Sequence, residues 1–166
     1  MQLKDGETIV FAGDSVTDCG RKRPVGEGLW EGVGNGYVRQ IDNILGVAYP
    51  EMLFRIINAG ISGNTSRDLL ARFESDVLAL NPSRAVILIG INDVWRHFDE
   101  PALKSRHVEL PEYAENIAKM LDICAENHIA AACMTPYFME TNLSDPMRRM
   151  TDRYRAAMQE VCAEKK

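Results

Sequence analysis

Four short apolar runs, separated by longer segments with helical periodicity, constrain the fold of this chain most strongly. The runs cover residues 8–12, 54–58, 85–89 and 129–134 and have the length of β-strands. Runs that are apolar at nearly every position are typical of strands buried on both faces of a parallel sheet. Because strands that alternate with helices make right-handed crossovers, this order predicts an α/β fold with helices on both faces of the sheet.

The segments between the runs carry helix signals. Apolar residues recur at helical spacing over residues 37–45 and 113–124. Thr65, followed three residues later by Asp68, is typical of a capped helix start. Asp145 followed by a proline predicts the start of a last helix. These signals predict a single domain with one packed core.

Small and polar residues follow three of the four runs. Gly13-Asp14-Ser15 follows the first run, Gly60 lies just after the second, and Gly90 leads into Asn92 and Asp93 after the third. Ligands of open parallel sheets bind outside the carboxyl ends of the strands, so Ser15 is a candidate nucleophile. The same residue types also favour turns, and Gly13-Asp14-Ser15 taken alone favours a simple turn in which Ser15 caps the next helix.

Together, the order and spacing of these residues resemble the SGNH hydrolase family, also called GDSL esterases and lipases. The marks of that family fall here on Ser15, Gly60 and Asn92. The resemblance implies a flavodoxin-like, three-layer α/β/α fold with a parallel sheet of strand order 2-1-3-4, and with the family's fifth strand absent from these residues. It also implies hydrolysis of small acyl esters, such as acetylated carbohydrates, through an acyl-enzyme and without a cofactor.

The resemblance assigns a role to each marked residue. Ser15 would attack the carbonyl carbon, and the oxyanion would be held by the backbone amides of Ser15 and Gly60 and the side-chain amide of Asn92. Asp14 and Asp93 are expected to support the site, with Asp93 holding its loop in shape.

The general base is not evident. The family takes it from a final Asp-x-x-His, and no such pattern occurs in this sequence. His97 and His107 are possible substitutes, whereas His128 fits the end of a helix. We therefore expect residues 1–166 to form one SGNH-like domain that is incomplete at its carboxyl end, with the fourth strand as an exposed edge open to strand pairing or domain exchange. The alternative is a non-catalytic remnant or binding module.

Composition excludes several other classes. The net charge is −5 and the basic residues are dispersed, so the sequence predicts no positively charged surface that would bind nucleic acid. No run approaches the length of a membrane span, and four scattered cysteines predict reduced thiols in the cytoplasm. A metal site is not expected, because the histidines lack helical or strand spacing. Phosphoryl transfer by Asp14 would need a second acid where Val16 stands.

The glycine-rich loop of residues 20–36 is the most unusual stretch. Trp30 in this loop and Trp95 after Asn92 fit either a substrate wall or packing anchors. Arg21 and its two basic neighbours predict a solvated turn.

Overall fold

A parallel sheet forms the centre of the molecule. The computed structural model describes residues 2–165 and contains four strands in this part of the chain: β1 (Thr8–Gly13), β2 (Arg55–Gly60), β3 (Arg84–Leu88) and β4 (Ala130–Met134). All pairings are parallel and the order is β2-β1-β3-β4. The predicted α/β fold and strand order are confirmed.

Seven α-helices connect and cover the strands in the described residues. They are α1 (Ser15–Asp18), α2 (Tyr37–Ala48), α3 (Ser66–Ala71), α4 (Phe73–Asp76), α5 (Ile91–Asp99), α6 (Leu110–Glu126) and α7 (Pro146–Glu164). Short 3-10 turns cover Leu78–Leu80 and Lys104–Arg106. Within residues 2–165, none of the helices has the length and apolar character needed to cross a membrane.

The predicted helix starts are confirmed by their caps. Thr65 and Asp68 form a reciprocal capping box at the start of α3. Asp145 caps α7 by accepting a hydrogen bond from the Arg148 amide. Helix α5 was not among the helices expected from the sequence, and it is the element that carries Asn92 and Asp93.

Alternate side chains of β1 enter two different cores. Val10 and Ala12 belong to a large cluster that also takes in residues of α3, α6 and α7. Ile9 and Phe11 face the opposite side and pack with Val38 of α2. Because successive strand residues point to opposite faces, this division produces the three-layer α/β/α arrangement.

The strand register aligns the carboxyl ends of β1, β2 and β3. Gly13 of β1 pairs with Gly60 of β2 on one side and with Leu88 of β3 on the other. The loops that follow these three strands therefore leave the sheet side by side. β4 is an outer strand of the described sheet, and its last residue, Met134, is exposed.

Candidate active site

Ser15 is exposed just beyond the end of β1, between the buried Asp14 and the half-buried Val16. It is the first residue of α1, and Asp14 caps that helix by accepting a hydrogen bond of 2.9 Å from the Val16 amide. Neither the backbone amide nor the hydroxyl of Ser15 makes a hydrogen bond to another group in residues 2–165. Both are therefore free to contact a ligand at this edge of the sheet.

The Asp14 carboxyl is buried beneath the nucleophile turn. Burial raises the pKa of Asp14 to about 6, although the hydrogen bond from the Val16 amide opposes this shift. Asp14 thus fixes the turn that presents Ser15. Its carboxyl accepts from the helix backbone, and its predicted role in supporting the site stays a prediction.

Gly60 is engaged inside the fold. Its amide donates to the Asn58 side chain at 2.9 Å, and a Cβ atom on Gly60 would lie 2.3 Å from the Asp18 backbone nitrogen. A buried amide that already has an acceptor is not available to an oxyanion. The role predicted for Gly60 as a donor therefore does not fit this geometry, and its glycine is explained by the close approach of α1.

Gly63 offers the free amide that Gly60 lacks. It is exposed, has φ +85° and a Cβ atom there would meet nothing within 4 Å. The surrounding amides all donate to protein acceptors: those of Ile61, Ser62, Asn64, Thr65 and Ser66. Within the described chain the Gly63 amide makes no such bond. The sequence signal for it is the turn-forming Ser-Gly-Asn at residues 62–64, which requires a left-handed residue.

Asn92 lies beside this loop. It is buried at the start of α5, and its side-chain nitrogen donates to the Asn64 carbonyl at 2.9 Å. An amide NH₂ has two hydrogens, so one remains for another acceptor. The hydrogen bond fixes the position of the Asn92 side chain against the loop that carries Gly63.

Arg72 binds the ends of two strands to the same loop. Its guanidinium donates to the carbonyls of Gly13 and Ala59 at 3.1 and 2.8 Å and to the Asn64 side chain at 2.7 Å. Five fixed N–H donors suit this task, because several backbone carbonyls leave the sheet together here. This role was not predictable from the sequence, because Arg72 lies at the turn between α3 and α4 and outside the motifs.

Arg21 also contradicts its predicted environment. It is buried rather than solvated, and its Nε donates to the Gly60 carbonyl at 2.7 Å. Its neighbour Arg23 pairs with Asp18 at 2.6 Å, and Asp18 also accepts from the Ser62 amide and hydroxyl. The basic turn therefore holds the loop after β2 in place.

None of the histidines of the described chain hydrogen-bonds Ser15. His97 lies in the last turn of α5, with its ring 4.3 Å from that of His107. The Nε2 atom of His107 lies 3.0 Å from the Glu100 carbonyl oxygen. His128 is exposed just after α6.

The tryptophans are open to solvent. Trp30 is 83% exposed and Trp95 is 48% exposed. The interpretation of Trp30 as a packing anchor does not hold in the described fold, because so little of its ring is covered. A role in substrate binding stays a prediction for both residues.

A family model of the GDSL-like lipase/acylhydrolase family matches residues 11–166. The chain belongs to this family. The resemblance inferred from Ser15, Gly60 and Asn92 is thus confirmed at the level of the GDSL-like family, and with it membership among serine ester hydrolases.

Two relatives are similar to nearly the whole of this chain. An acetylxylan esterase from Geobacillus stearothermophilus is 44% identical over 164 residues, which cover 99% of this chain and 75% of the relative. A crystal structure of that enzyme superposes with a TM-score of 0.96. An α/β hydrolase from the metagenome of Lake Arreo, Spain, is 40% identical, with a TM-score of 0.94, over 98% of this chain and 75% of that one.

Solved structures of the Geobacillus enzyme include catalytic mutants. Alanine replaces a serine in one, an aspartate in another and a histidine in a third. The aspartate and the histidine are three positions apart, and both are numbered beyond the length of this chain. This is the spacing of an Asp-x-x-His pair in that enzyme.

Proposed function

We propose that the protein is a serine esterase that removes acetyl groups from acetylated carbohydrates, with xylo-oligosaccharides as the first substrates to test. One observation carries the proposal. The exposed Ser15 hydroxyl stands at the carboxyl edge of the sheet, where two unengaged backbone amides and the Asn92 side chain also lie. The relatives support the substrate class, because one is an acetylxylan esterase and is also described as an acetyl-xylooligosaccharide esterase.

In the proposed reaction, the Ser15 oxygen attacks the acetyl carbonyl carbon while a base accepts the hydroxyl proton. The carbonyl oxygen becomes negative in the tetrahedral intermediate. The C–O bond to the sugar then breaks, and the sugar oxygen takes the proton from the base. Water repeats the sequence on the acetyl-enzyme and releases acetate and free Ser15.

Three donors are proposed for the oxyanion: the amides of Ser15 and Gly63 and the side-chain NH₂ of Asn92. Each has an N–H without a protein acceptor in residues 2–165, or a second N–H in the case of Asn92. Donors fixed by the fold stabilise developing charge without reorganising during the reaction. Gly63 takes the place of Gly60, whose amide is bound to Asn58.

The base is proposed to come from outside residues 2–165. His97 and His107 contact each other rather than Ser15. The aspartate and histidine mutated in the relative have numbers beyond the length of this chain. On this proposal, residues 1–166 form most of a single catalytic domain, and the edge strand β4 pairs with further sequence or with a second copy.

A cytoplasmic location is also proposed. All four cysteines are free, and reduced thiols are typical of that compartment. The alternative of a non-catalytic binding module is not favoured, because the relative that is 44% identical over 99% of this chain is an acetylxylan esterase.

The test measures acetate released from acetylated xylo-oligosaccharides by the product of the complete gene. Acetylated glycerol at the same concentration is the matched control for the sugar. We expect release from the sugar with a higher kcat/KM, and none from peptide or phosphate esters. Equal kcat/KM for both acetates would refute the carbohydrate preference, and no release from either would refute esterase activity.

A further inference from the structure

Two histidines and a glutamate converge on the side of the molecule formed by the end of α5 and the start of α6. His97 is in the last turn of α5, and His107 and Glu109 lie between the 3-10 turn Lys104–Arg106 and α6. One ligand atom from each of the three residues lies within 4.8 Å of the other two. The sequence did not predict this, because the spacing of His97 and His107 fits neither a helix nor a strand.

The His107 ring is fixed in a form that binds metals. Its Nε2 lies 3.0 Å from the Glu100 carbonyl oxygen, which only accepts hydrogen bonds, so Nε2 carries the proton. The neutral ring then has its lone pair on Nδ1. A histidine ligand typically donates its other nitrogen to a carbonyl or a carboxylate in this way.

That Nδ1 atom has no partner. His107 is only 4% exposed, and among the described residues its Nδ1 finds no donor. The Nε2 atom of His97 is also buried without a partner, although the two rings are 4.3 Å apart. A buried nitrogen that is left unsatisfied costs free energy. Two such atoms on rings whose centroids are 4.3 Å apart indicate a group that binds both.

Charge at the cluster favours a cation. The Glu109 carboxylate is exposed and makes no ion pair among the described residues. Two arginines beside His107 are paired with other carboxylates: Arg67 with Glu112 at 2.6 Å and Arg106 with Glu100 at 2.6 Å. Glu109 is therefore free to supply a negative ligand.

We propose that His97, His107 and Glu109 bind a divalent transition-metal ion of the zinc type. Two imidazoles and one carboxylate suit Zn²⁺, with water in the fourth position. Tetrahedral bonds of about 2.0–2.1 Å place the ligand atoms roughly 3.3 Å apart, which needs a small contraction of the present cluster. Bound metal would join the end of α5 to the segment before α6, while Asn92 lies at the other end of α5.

The experiment titrates Zn²⁺ into the product of the complete gene after dialysis against a chelator and follows binding by calorimetry and by Tm. Zn²⁺ should bind at one site per chain and raise Tm as its concentration rises, whereas Mg²⁺ should do neither. Co²⁺ should give the visible absorption of a tetrahedral nitrogen and oxygen site, without the charge-transfer band of a thiolate.

Variants locate the site. His97→Ala and Glu109→Gln should each weaken Zn²⁺ binding more than about tenfold, since even the loss of an outer partner of a ligand costs that much. His128→Asn and Glu115→Gln are matched controls at exposed positions away from the cluster and should bind as the original protein does. Unchanged Tm of both ligand variants without metal would show that folding is intact.

Three results would overturn the proposal. The first is no binding of Zn²⁺ to the original protein. The second is binding that His97→Ala and Glu109→Gln leave unchanged. The third is a thiolate band with Co²⁺, which would move the metal to the cysteines.

Discussion

Asp93 accepts two hydrogen bonds from Ser66, one from its amide at 2.9 Å and one from its hydroxyl at 2.5 Å. The pair joins the first turn of α5 to the first turn of α3 in a fully buried position. Asn92, the residue before Asp93, is held at the same time by the Asn64 carbonyl. The contact of Asp93 with Ser66 and the contact of Asn92 with Asn64 together set the distance between the Asn92 side chain and the loop that contains Gly63.

Asp93→Ala should destabilise the fold by about 2 kcal/mol or more, because the buried Ser66 amide loses its acceptor. Asp122→Ala is the matched control, since Asp122 makes only a surface ion pair with Lys165 and should change stability by less than about 1 kcal/mol. Urea denaturation of both variants measures the difference. A stable Asp93→Ala protein would contradict the structural role.

Asp93 should also make stability depend on pH. Burial raises the pKa of Asp93 from 3.8 to about 7, against the opposing hydrogen bonds from Ser66. The folded state therefore keeps a proton that the unfolded state has already released. The contribution of Asp93 to stability is full below pH 3.8 and is lost as the pH rises through 7. Asp14, with its pKa near 6, acts in the same direction.

The check is the dependence of the free energy of unfolding on pH, measured from roughly pH 4.5 to 7.5. This range covers the raised pKa values of Asp14 and Asp93. Asp93→Asn should flatten the decline, because asparagine does not titrate. A slope identical to that of the original protein would show that Asp93 is not protonated in the folded state.

Asn92→Ala should lower kcat by about 100- to 1,000-fold and leave KM almost unchanged, since its donor binds charge that exists only in the transition state. Asn43→Ala, on the exposed side of α2, should leave both constants as they are. Steady-state kinetics with an acetate ester separates the two constants. A rise in KM with constant kcat would assign Asn92 to ground-state binding.

Gly60→Ala should destabilise the protein by about 1–3 kcal/mol, because the new methyl group overlaps the backbone of α1. Gly46→Ala is the control, because a methyl group added at this position in α2 has no atom within 4 Å. It should stabilise the protein by about 0.5–1 kcal/mol, since alanine favours the helix more than glycine does. Thermal unfolding compares them. A Gly60→Ala protein of unchanged Tm would contradict the packing.

The sheet was predictable because its strands are short apolar runs whose residues enter both cores, as Val10 and Phe11 do on opposite faces. Helix α5 was not, because it begins with Ile91, Asn92 and Asp93, residue types that favour turns or strands. Only the packed fold, with Asp93 bound to Ser66, selects the helix for them.

The choice between Gly60 and Gly63 shows what sequence alone leaves open. Gly60 is the last residue of β2 and Gly63 lies three residues later, and both are compatible with a turn. The difference is the Asn58 side chain, which reaches forward to the Gly60 amide and has no counterpart at Gly63. Contacts between distant segments, such as Arg72 with Gly13 or His97 with His107, also require the fold.

The general base should be neither His97 nor His107. His97→Gln and His107→Gln should therefore leave the esterase rate per folded molecule unchanged, and the 166-residue chain should hydrolyse esters far more slowly than the product of the complete gene. Progress curves with a chromogenic acetate ester check both. Ordinary enzyme rates from the 166-residue chain that disappear in either variant would identify a histidine of this chain as the base.

The nucleophile is tested most directly by labelling the product of the complete gene with a fluorophosphonate and locating the adduct by peptide mass spectrometry. The account predicts one adduct, on Ser15, and no adduct and no acetate release in Ser15→Ala, whose Tm stays unchanged because the hydroxyl makes no hydrogen bond among residues 2–165. Ser105→Ala, an exposed serine elsewhere, should label normally. An adduct on another residue, or undiminished acetate release by Ser15→Ala, would contradict the account.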